Sequence, residues 1–361
     1  MKLKTFARLA PHYFAQKKCA YLRSPPGYGK TSTILDLVPR LSQITGKRLG
    51  ISIVSGPNLQ PGDTVGFGIP KHNEGYSEMV FTLPFFMRSE EGKLLSEYDG
   101  GVLFIDEADK MDVDIKKVVG EGALSGRFGP HRLPPGWVVW MAGNRAEDRS
   151  GSTKELDHLI SRRFEIDIEP DIEGWEEWAH KSSIHPSIIA FAVSNPQIVF
   201  SGKVPEKQGP SCNPRSLVST GELLASMADT STGNIPTDTD AIEIASGGIG
   251  QAAAGQLFAT LRLESELPAI QTIINNPGAA RLPTKPDAQM LVCYKLASLS
   301  SAENLDPVIT YIERLPADFA ATYAKAVITR APMLISHKAM LDWVKRNNTL
   351  MTTLSMLKTV A

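Results

Sequence analysis

Over its first half the chain alternates short apolar runs with stretches of helical periodicity. The apolar runs fall at 20–23, 49–54, 102–105, 137–142 and 164–168, each of strand length, and a helix-like stretch follows Gly29 directly. Strands alternating with helices predict a parallel sheet covered on both faces. Beyond about residue 168 the pattern turns almost wholly helical. The stretch "EPDIEGWEEWAHKSSIHPSIIAFAVSN" opens this region, and the polar loops "SGKVPEKQGPSCNP" and "DTSTGNIPTDTD" interrupt it. From about Arg262 onward further helices follow, separated by Pro-marked turns in "ARLPTKPDAQML" and "ITRAPMLISHKAML".

Composition narrows the class. The 361 residues suffice for two or three domains of roughly 100–200 residues each, and a 42% hydrophobic content can fill more than one core. Lys and Arg number 38 against 39 Asp and Glu, a formal net charge of −1. No global basic excess therefore advertises nucleic acid or an anionic membrane, although a local basic groove stays open. Cys19, Cys212 and Cys293 lie far apart without paired spacing, which predicts buried, reduced thiols in a cytosol-like compartment rather than disulfides or a zinc site. The N-terminal "MKLKTFARLAPHYFAQKK" is basic but its apolar residues are interrupted, and no run approaches ~18 apolar residues. Neither a signal peptide nor a membrane span is expected, and the reading is cytoplasmic.

The first candidate chemistry lies in "YLRSPPGYGKTSTILDLV", a strand running into a Gly-Lys-Thr turn and then a helix. In a phosphate-binding loop, glycines let backbone N–H groups turn inward around the phosphates. The lysine reaches the terminal phosphates and the next hydroxyl holds Mg²⁺. Gly27, Gly29, Lys30 and Thr31 supply these parts, while Ser24 stands where such a loop normally carries its first glycine. Small Ser24, backed by Pro25 and Pro26, can make the same turn, so Ser24, Pro25, Pro26, Gly27, Tyr28, Gly29, Lys30, Thr31 and Ser32 form the candidate cradle. Gly-Lys-Thr at a helix start can also be coincidence, and a second motif is required.

That motif is "GGVLFIDEADKMD", whose apolar strand delivers Asp106 and Glu107 at its C-terminal end, where ligands bind in open α/β sheets. Asp106, with Thr31, can hold Mg²⁺, while Glu107 can orient or deprotonate the attacking water. Alone, the pair reads as an ordinary acidic strand end; behind a phosphate loop it is specific. Asp109 is expected to be an exposed loop or helix-cap carboxylate. In "PPGWVVWMAGNRAEDRSG" a further strand ends at Asn144, which can hydrogen-bond both the water and the γ-phosphate. "KELDHLISRRFEIDIEP" then places Arg162 and Arg163 just before the last strand. One of the two can reach a neighbouring subunit's γ-phosphate, the alternative being a surface salt bridge.

The order of "SPPGYGKT", "LFIDEAD", "WMAGN", "LISRRF" and "NPRSL" resembles AAA+ ATPases, and within them the MoxR-like branch, of which lone relatives occur in phages. The resemblance implies an α/β fold, with a parallel-sheet P-loop NTPase (AAA+) core over 1–169, an α-helical lid over 170–262 and a helical C-terminal extension over 263–361. It makes residues 58–100 that branch's helix-2 insert, a β-rich excursion toward a ring pore, and "ALSGRFGPHRLPPG" the hairpin before the sensor strand. It assigns Pro214-Arg215 to the second-sensor position, where Arg215 meets the nucleotide's phosphates; without the family, Arg215 reads as a first-turn surface residue. It further implies ATP and Mg²⁺, a homo-oligomeric, hexameric ring, and a protein partner with a von Willebrand factor A-type domain.

Two other function classes stay open. A DNA- or RNA-acting motor is disfavoured by the even charge balance but kept open by Lys71, His72, Arg88, Arg127, His131 and Arg132 in the two expected hairpins. A nucleotide-binding scaffold without turnover is opposed by Glu107 and kept open by Ser24. His180 and His185, five apart, do not share a helix face and predict no zinc site. Trp175 and Trp178 read as a packing stripe. Phe81, Phe85 and Phe86 either pack the insert's own hairpin or meet a partner, with Tyr76 and Met79 near the hairpin's tip.

Overall fold

The computed structural model describes residues 1–145, 160–202 and 209–347, which fall into two compact units, one built on Met1–Asp171 and one on the residues from Ile172 onward. Parts of the polar loop over 201–214 and of the C-terminal extension lie outside the described residues.

In the first unit, helix α1 (Leu3–Ala15) leads into strand β1 (Ala20–Arg23), helix α2 (Lys30–Thr45), strand β2 (Leu49–Ser55) and short helix α3 (Pro61–Val65). Strands β3 (Gly68–Asn73), β4 (Tyr76–Phe81) and β5 (Gly100–Asp106) follow, then helix α4 (Val113–Ser125), the two-residue strands β6 (Arg127–Phe128) and β7 (His131–Arg132), and strands β8 (Trp137–Gly143) and β9 (Phe164–Asp167). Five strands make one sheet in the order β2-β5-β8-β1-β9, and every neighbouring pair is parallel. This is an α/β fold built on a five-stranded parallel sheet.

The apolar runs form the sheet because its middle is buried on both faces. Side chains alternate across β5 and β8: Val102, Phe104, Val138, Trp140 and Ala142 join Phe6, Ile34 and Leu37 of α1 and α2 on one face. Leu103, Ile105, Val139 and Met141 join Ile115 and Val119 of α4 on the other. Helix α1, which the interrupted apolar pattern left unassigned, buries Phe6, Ala10 and Phe14, with the Phe6 ring edge-on to Trp140 at 5.8 Å.

The insert is a two-stranded antiparallel hairpin, β3 with β4, whose register pairs Asn73 with Tyr76 around Glu74 and Gly75. It lies open to solvent on both faces, with Ile69, Tyr76, Met79 and Val80 all exposed. The three phenylalanines do not act together. Phe81 is on the hairpin and Phe85 is 56% exposed, but Phe86 is only 3% exposed and belongs to the α/β core, 5.0 Å from the Phe128 ring. The backbone carbonyl of Phe86 also accepts a hydrogen bond from Ser52 Oγ on β2 at 2.9 Å. The insert is thus anchored to the sheet one residue beyond its exposed aromatic.

Among the described residues the second unit has helices and no strand, and residues on both sides of Arg262 share one core: Ile188, Phe191 and Leu217 belong with Tyr294, Tyr311, Tyr323 and Trp343. A buried carboxylate ties it together. Glu176 accepts a hydrogen bond from Tyr294 Oη at 2.6 Å and pairs with Lys325 Nζ at 2.8 Å, joining helix Ile172–Lys181 to helices Pro286–Leu299 and Ala317–Arg330. Of the tryptophan pair, Trp175 packs edge-on against Phe200 at 5.6 Å while Trp178 is exposed. Burial pushes His180 down to about 4, and His185 caps helix Pro186–Ser194 by accepting from Ser187 N. Among the described residues no group of His, Cys, Asp and Glu could hold a metal ion by itself, and no helix is long and apolar enough to cross a membrane. Burial pushes the Cys19 and Cys212 thiols up to about 12; Cys19 and Cys293 are buried as expected, whereas Cys212 is only partly buried.

The split between the phenylalanines is measurable. Phe86→Ala should cost about 3–5 kcal/mol in urea unfolding, whereas Phe85→Ala should change stability by less than about 0.5 kcal/mol. Equal losses would contradict this anchoring.

Candidate active site

Strand order decides which loops meet. Because β1, β8 and β5 are adjacent and parallel, the segments that follow them leave the sheet at the same edge. Those segments carry Ser24 to Thr31, Asn144, and Asp106 to Lys110.

The loop after β1 turns through two left-handed glycines, Gly27 (φ 82°) and Gly29 (φ 77°), and Lys30 is the first residue of α2. Both positions demand glycine, since side chains are disfavoured at such angles. Ser24 is fully buried and its backbone N–H still donates to Gly143 O of β8 at 3.3 Å, so the strand pairing runs one residue past β1. Lys30 is itself only 8% exposed, and its ammonium donates to Ser24 O and Ser24 Oγ, both at 2.9 Å, and to Pro25 O at 3.3 Å. The Ser24 hydroxyl in turn donates to Pro25 O at 2.9 Å. The serine in the first-glycine position is therefore part of the lysine's seat. Pro25 and Tyr28 are buried; Pro26 and Ser32 are exposed.

Across the loop, Thr31 Oγ1 donates to Asp106 Oδ2 at 2.5 Å. Asp106 closes β5, and its other oxygen accepts the Glu107 N–H at 2.9 Å. A hydroxyl and a carboxylate meeting beside the Gly-Lys-Thr turn form a hard oxygen donor pair, which fits Mg²⁺. Glu107 follows in a left-handed conformation (φ 51°, ψ 37°), and its carboxylate pairs with Lys110 Nζ at 2.8 Å.

The expectation for Asp109 is corrected. It is 2% exposed rather than a solvated cap, and its Oδ1 accepts the backbone N–H of Asn144 at 3.0 Å. The short 3-10 turn Ala108–Lys110 folds this carboxylate back under the end of β8. Asp109 thereby ties the Asp106-Glu107 turn to Asn144, which is itself 8% exposed. Sequence reasoning missed it because an acidic residue three past a strand reads as solvent-facing unless the turn geometry is known.

The two arginines separate. Arg163 lies over the Tyr21 ring of its own chain, 4.1 Å from the centroid, and pairs with Glu165 at 2.9 Å with a side chain only 7% exposed. Glu165 also pairs with Arg23 at 2.6 Å. Arg162 and Arg163 both border a small cavity with Lys116 and Val119 of α4 and Met141 of β8. Arg215 belongs to the second unit. It is exposed in the first turn of helix Pro214–Ala225, where Asn213 caps the helix by accepting from Arg215 N at 3.0 Å and Ser216 N at 3.1 Å.

Comparison with known proteins adds the following. No protein-family model matches the sequence, and no curated protein matches it. Among solved structures, the chain is similar to a RuvB mutant from Thermotoga maritima at 12% identity, covering 95% of this chain and 86% of that one with a TM-score of 0.34. It is also similar to NtrX from Brucella abortus at 16% identity, covering 99% of this chain and 66% of that one with a TM-score of 0.39. The fold itself is given by the chain's own strand order and by the loops that this order brings together.

Proposed function

We propose that this chain is a Mg²⁺-dependent ATPase of the AAA+ type. The observation that carries the reading is the contact of Thr31 with Asp106 beside the buried Lys30, which joins the phosphate loop to the acidic strand end. In this reading Lys30 and the backbone N–H groups from Gly27 to Ser32 hold the β- and γ-phosphates, Ser24, Pro25 and Pro26 shape the turn, and Thr31 and Asp106 hold the metal. Mg²⁺ supplies charge neutralisation of the phosphate oxygens. Glu107 takes a proton from the attacking water as its oxygen bonds to the γ-phosphorus and the bond to the β,γ-bridging oxygen breaks, giving ADP and inorganic phosphate. Asn144, fixed through Asp109, orients that water. Arg215 senses the nucleotide from the helical unit, whose division at about 262 into lid and extension belongs to the same proposal.

The assembly in this reading is a homo-oligomeric ring, a hexamer by family resemblance, in which an arginine from the neighbouring copy completes each site. Arg162 is the better candidate, because Arg163 is committed to Tyr21 and Glu165. The work done is remodelling of a protein partner of the MoxR-like kind, with a von Willebrand factor A-type domain as the first choice. The apolar, solvent-open hairpin β3-β4 supports a protein partner over a nucleic acid. Lys71 on it is offset by Glu78 at 3.7 Å, and Arg127 of the second hairpin donates to Gly129 O. DNA-stimulated turnover that fades steeply with salt would favour the nucleic-acid reading instead.

The nucleotide assignment predicts a split between two variants. Lys30→Ala should lose ATP binding, while Glu107→Gln should keep binding, measured by fluorescent-nucleotide titration, and lose about 10²-fold or more in turnover. Equal loss of affinity in both would refute the division of labour, and full turnover in Glu107→Gln would refute the base.

The ring assignment predicts complementation. Arg162→Ala and Lys30→Ala should each be inactive alone, with the finger loss costing about 10³-fold or more. Mixed subunits should recover part of the activity, since an intact pocket can then meet an intact finger. Full activity of Arg162→Ala alone, with loss and recovery shown by Arg163→Ala, would reverse the assignment.

A further inference from the structure

Lys110 holds Glu107 through two contacts. The Lys110 N–H donates to Glu107 O at 2.9 Å, closing the 3-10 turn, and the Lys110 ammonium pairs with Glu107 Oε1 at 2.8 Å. Between those contacts Glu107 sits at φ 51°, a left-handed conformation that only Lys17 and Ser183 share among the described non-glycine residues. Such a conformation persists only where its surroundings enforce it. Gly56, just past β2, is part of that enforcement: a Cβ there would lie 2.8 Å from Glu107 O and 3.0 Å from Asp106 O, so the turn can press against the end of β2 only because position 56 has no side chain.

We propose that Lys110 is a positioning residue whose ion pair restrains the orientation of the Glu107 carboxylate, so that turnover is faster when the pair is open. This rests on the reading of Glu107 as the base. A general base must turn a carboxylate oxygen toward the water's proton, and here the ammonium three residues away pairs with Oε1 and so limits how the carboxylate can turn. The Lys110 backbone N–H keeps the turn closed whatever its side chain does, so opening the ion pair frees the carboxylate without unfolding the turn. The strength of the restraint follows from its exposure. The two side chains are 30% and 45% exposed, and a pair that solvated is weak, so the restraint trims turnover and does not abolish it. A competing anion near Lys110, a phosphate oxygen or a carboxylate of a neighbouring copy, would release Glu107 at little cost.

The test uses the full chain with ATP and Mg²⁺. Lys110→Met keeps the aliphatic stem and the backbone donor but removes the charge. It should raise kcat about two- to fivefold with KM for ATP changed less than twofold, and Lys110→Arg should bring kcat back down toward the natural value. A second readout does not depend on turnover. Acylation of Lys110 by an amine-reactive reagent, followed by mass spectrometry, should run at least twofold faster in Glu107→Gln than in the natural chain. Unchanged or lower kcat in Lys110→Met overturns the restraint, as does equal acylation in the two chains. A natural chain with no turnover above Glu107→Gln overturns the ATPase reading and this inference with it, whereas turnover that is present but not raised overturns this inference alone.

Discussion

Burial of β5 and β8 on both faces is the constraint from which the site follows. All seven residues of β8 and the first six of β5 are buried, so neither strand can carry charge along its length. A parallel sheet returns each strand in the same direction, and the polar residues are therefore delivered together at one edge. Asp106, Glu107 and Asn144 appear at the first positions where the chain leaves that apolar environment. The Gly-Lys-Thr loop meets them because β1 lies next to β8, with Ser24 still donating to Gly143.

Within that edge, the side chains are linked to one another before any ligand is considered. Lys30 is seated on Ser24 and Pro25, Thr31 on Asp106, and Asn144 on Asp109. Buried polar groups are costly unless paired, so each of these contacts stabilises the fold while it sets the position of a candidate functional group. Asp109 shows this coupling most directly. Its carboxylate is nearly inaccessible and satisfies a backbone donor, yet that donor belongs to the residue proposed to orient the water.

How much of this was legible in the sequence depended on how local the determining physics was. The five sheet strands were readable because consecutive apolar residues have no alternative use in short runs, and every observed strand end lies within two residues of the expected run. The glycines, Lys30, Thr31 and Asp106 were readable because their spacing is fixed by the backbone of one turn and one strand end. Helix α1 was missed because its buried residues, Phe6, Ala10 and Phe14, are spaced four apart among basic ones, with Pro11 between them. Phe86 and Asp109 were missed for a different reason. Each is buried by contact with a segment distant in sequence, Phe128 in one case and Asn144 in the other, and nothing local distinguishes Phe86 from Phe85 or Asp109 from a solvated turn residue.

The insert follows the opposite logic from the sheet. A two-stranded ribbon has no second layer, so its side chains on both faces stay in water however apolar they are. Ile69, Met79 and Val80 do so here, while the chain re-enters the core at Phe86 and Met87. Exposing that much apolar surface on a hairpin weakens the case for a purely structural role, because a hairpin of polar residues with the same turn would span the same anchor points at lower solvation cost. The anchoring also makes the two parts separable in energy. Phe86 contributes to the stability of the sheet, the residues beyond it contribute almost nothing to it, and a hairpin so decoupled can change its side chains without disturbing Lys30, Asp106 or Asn144.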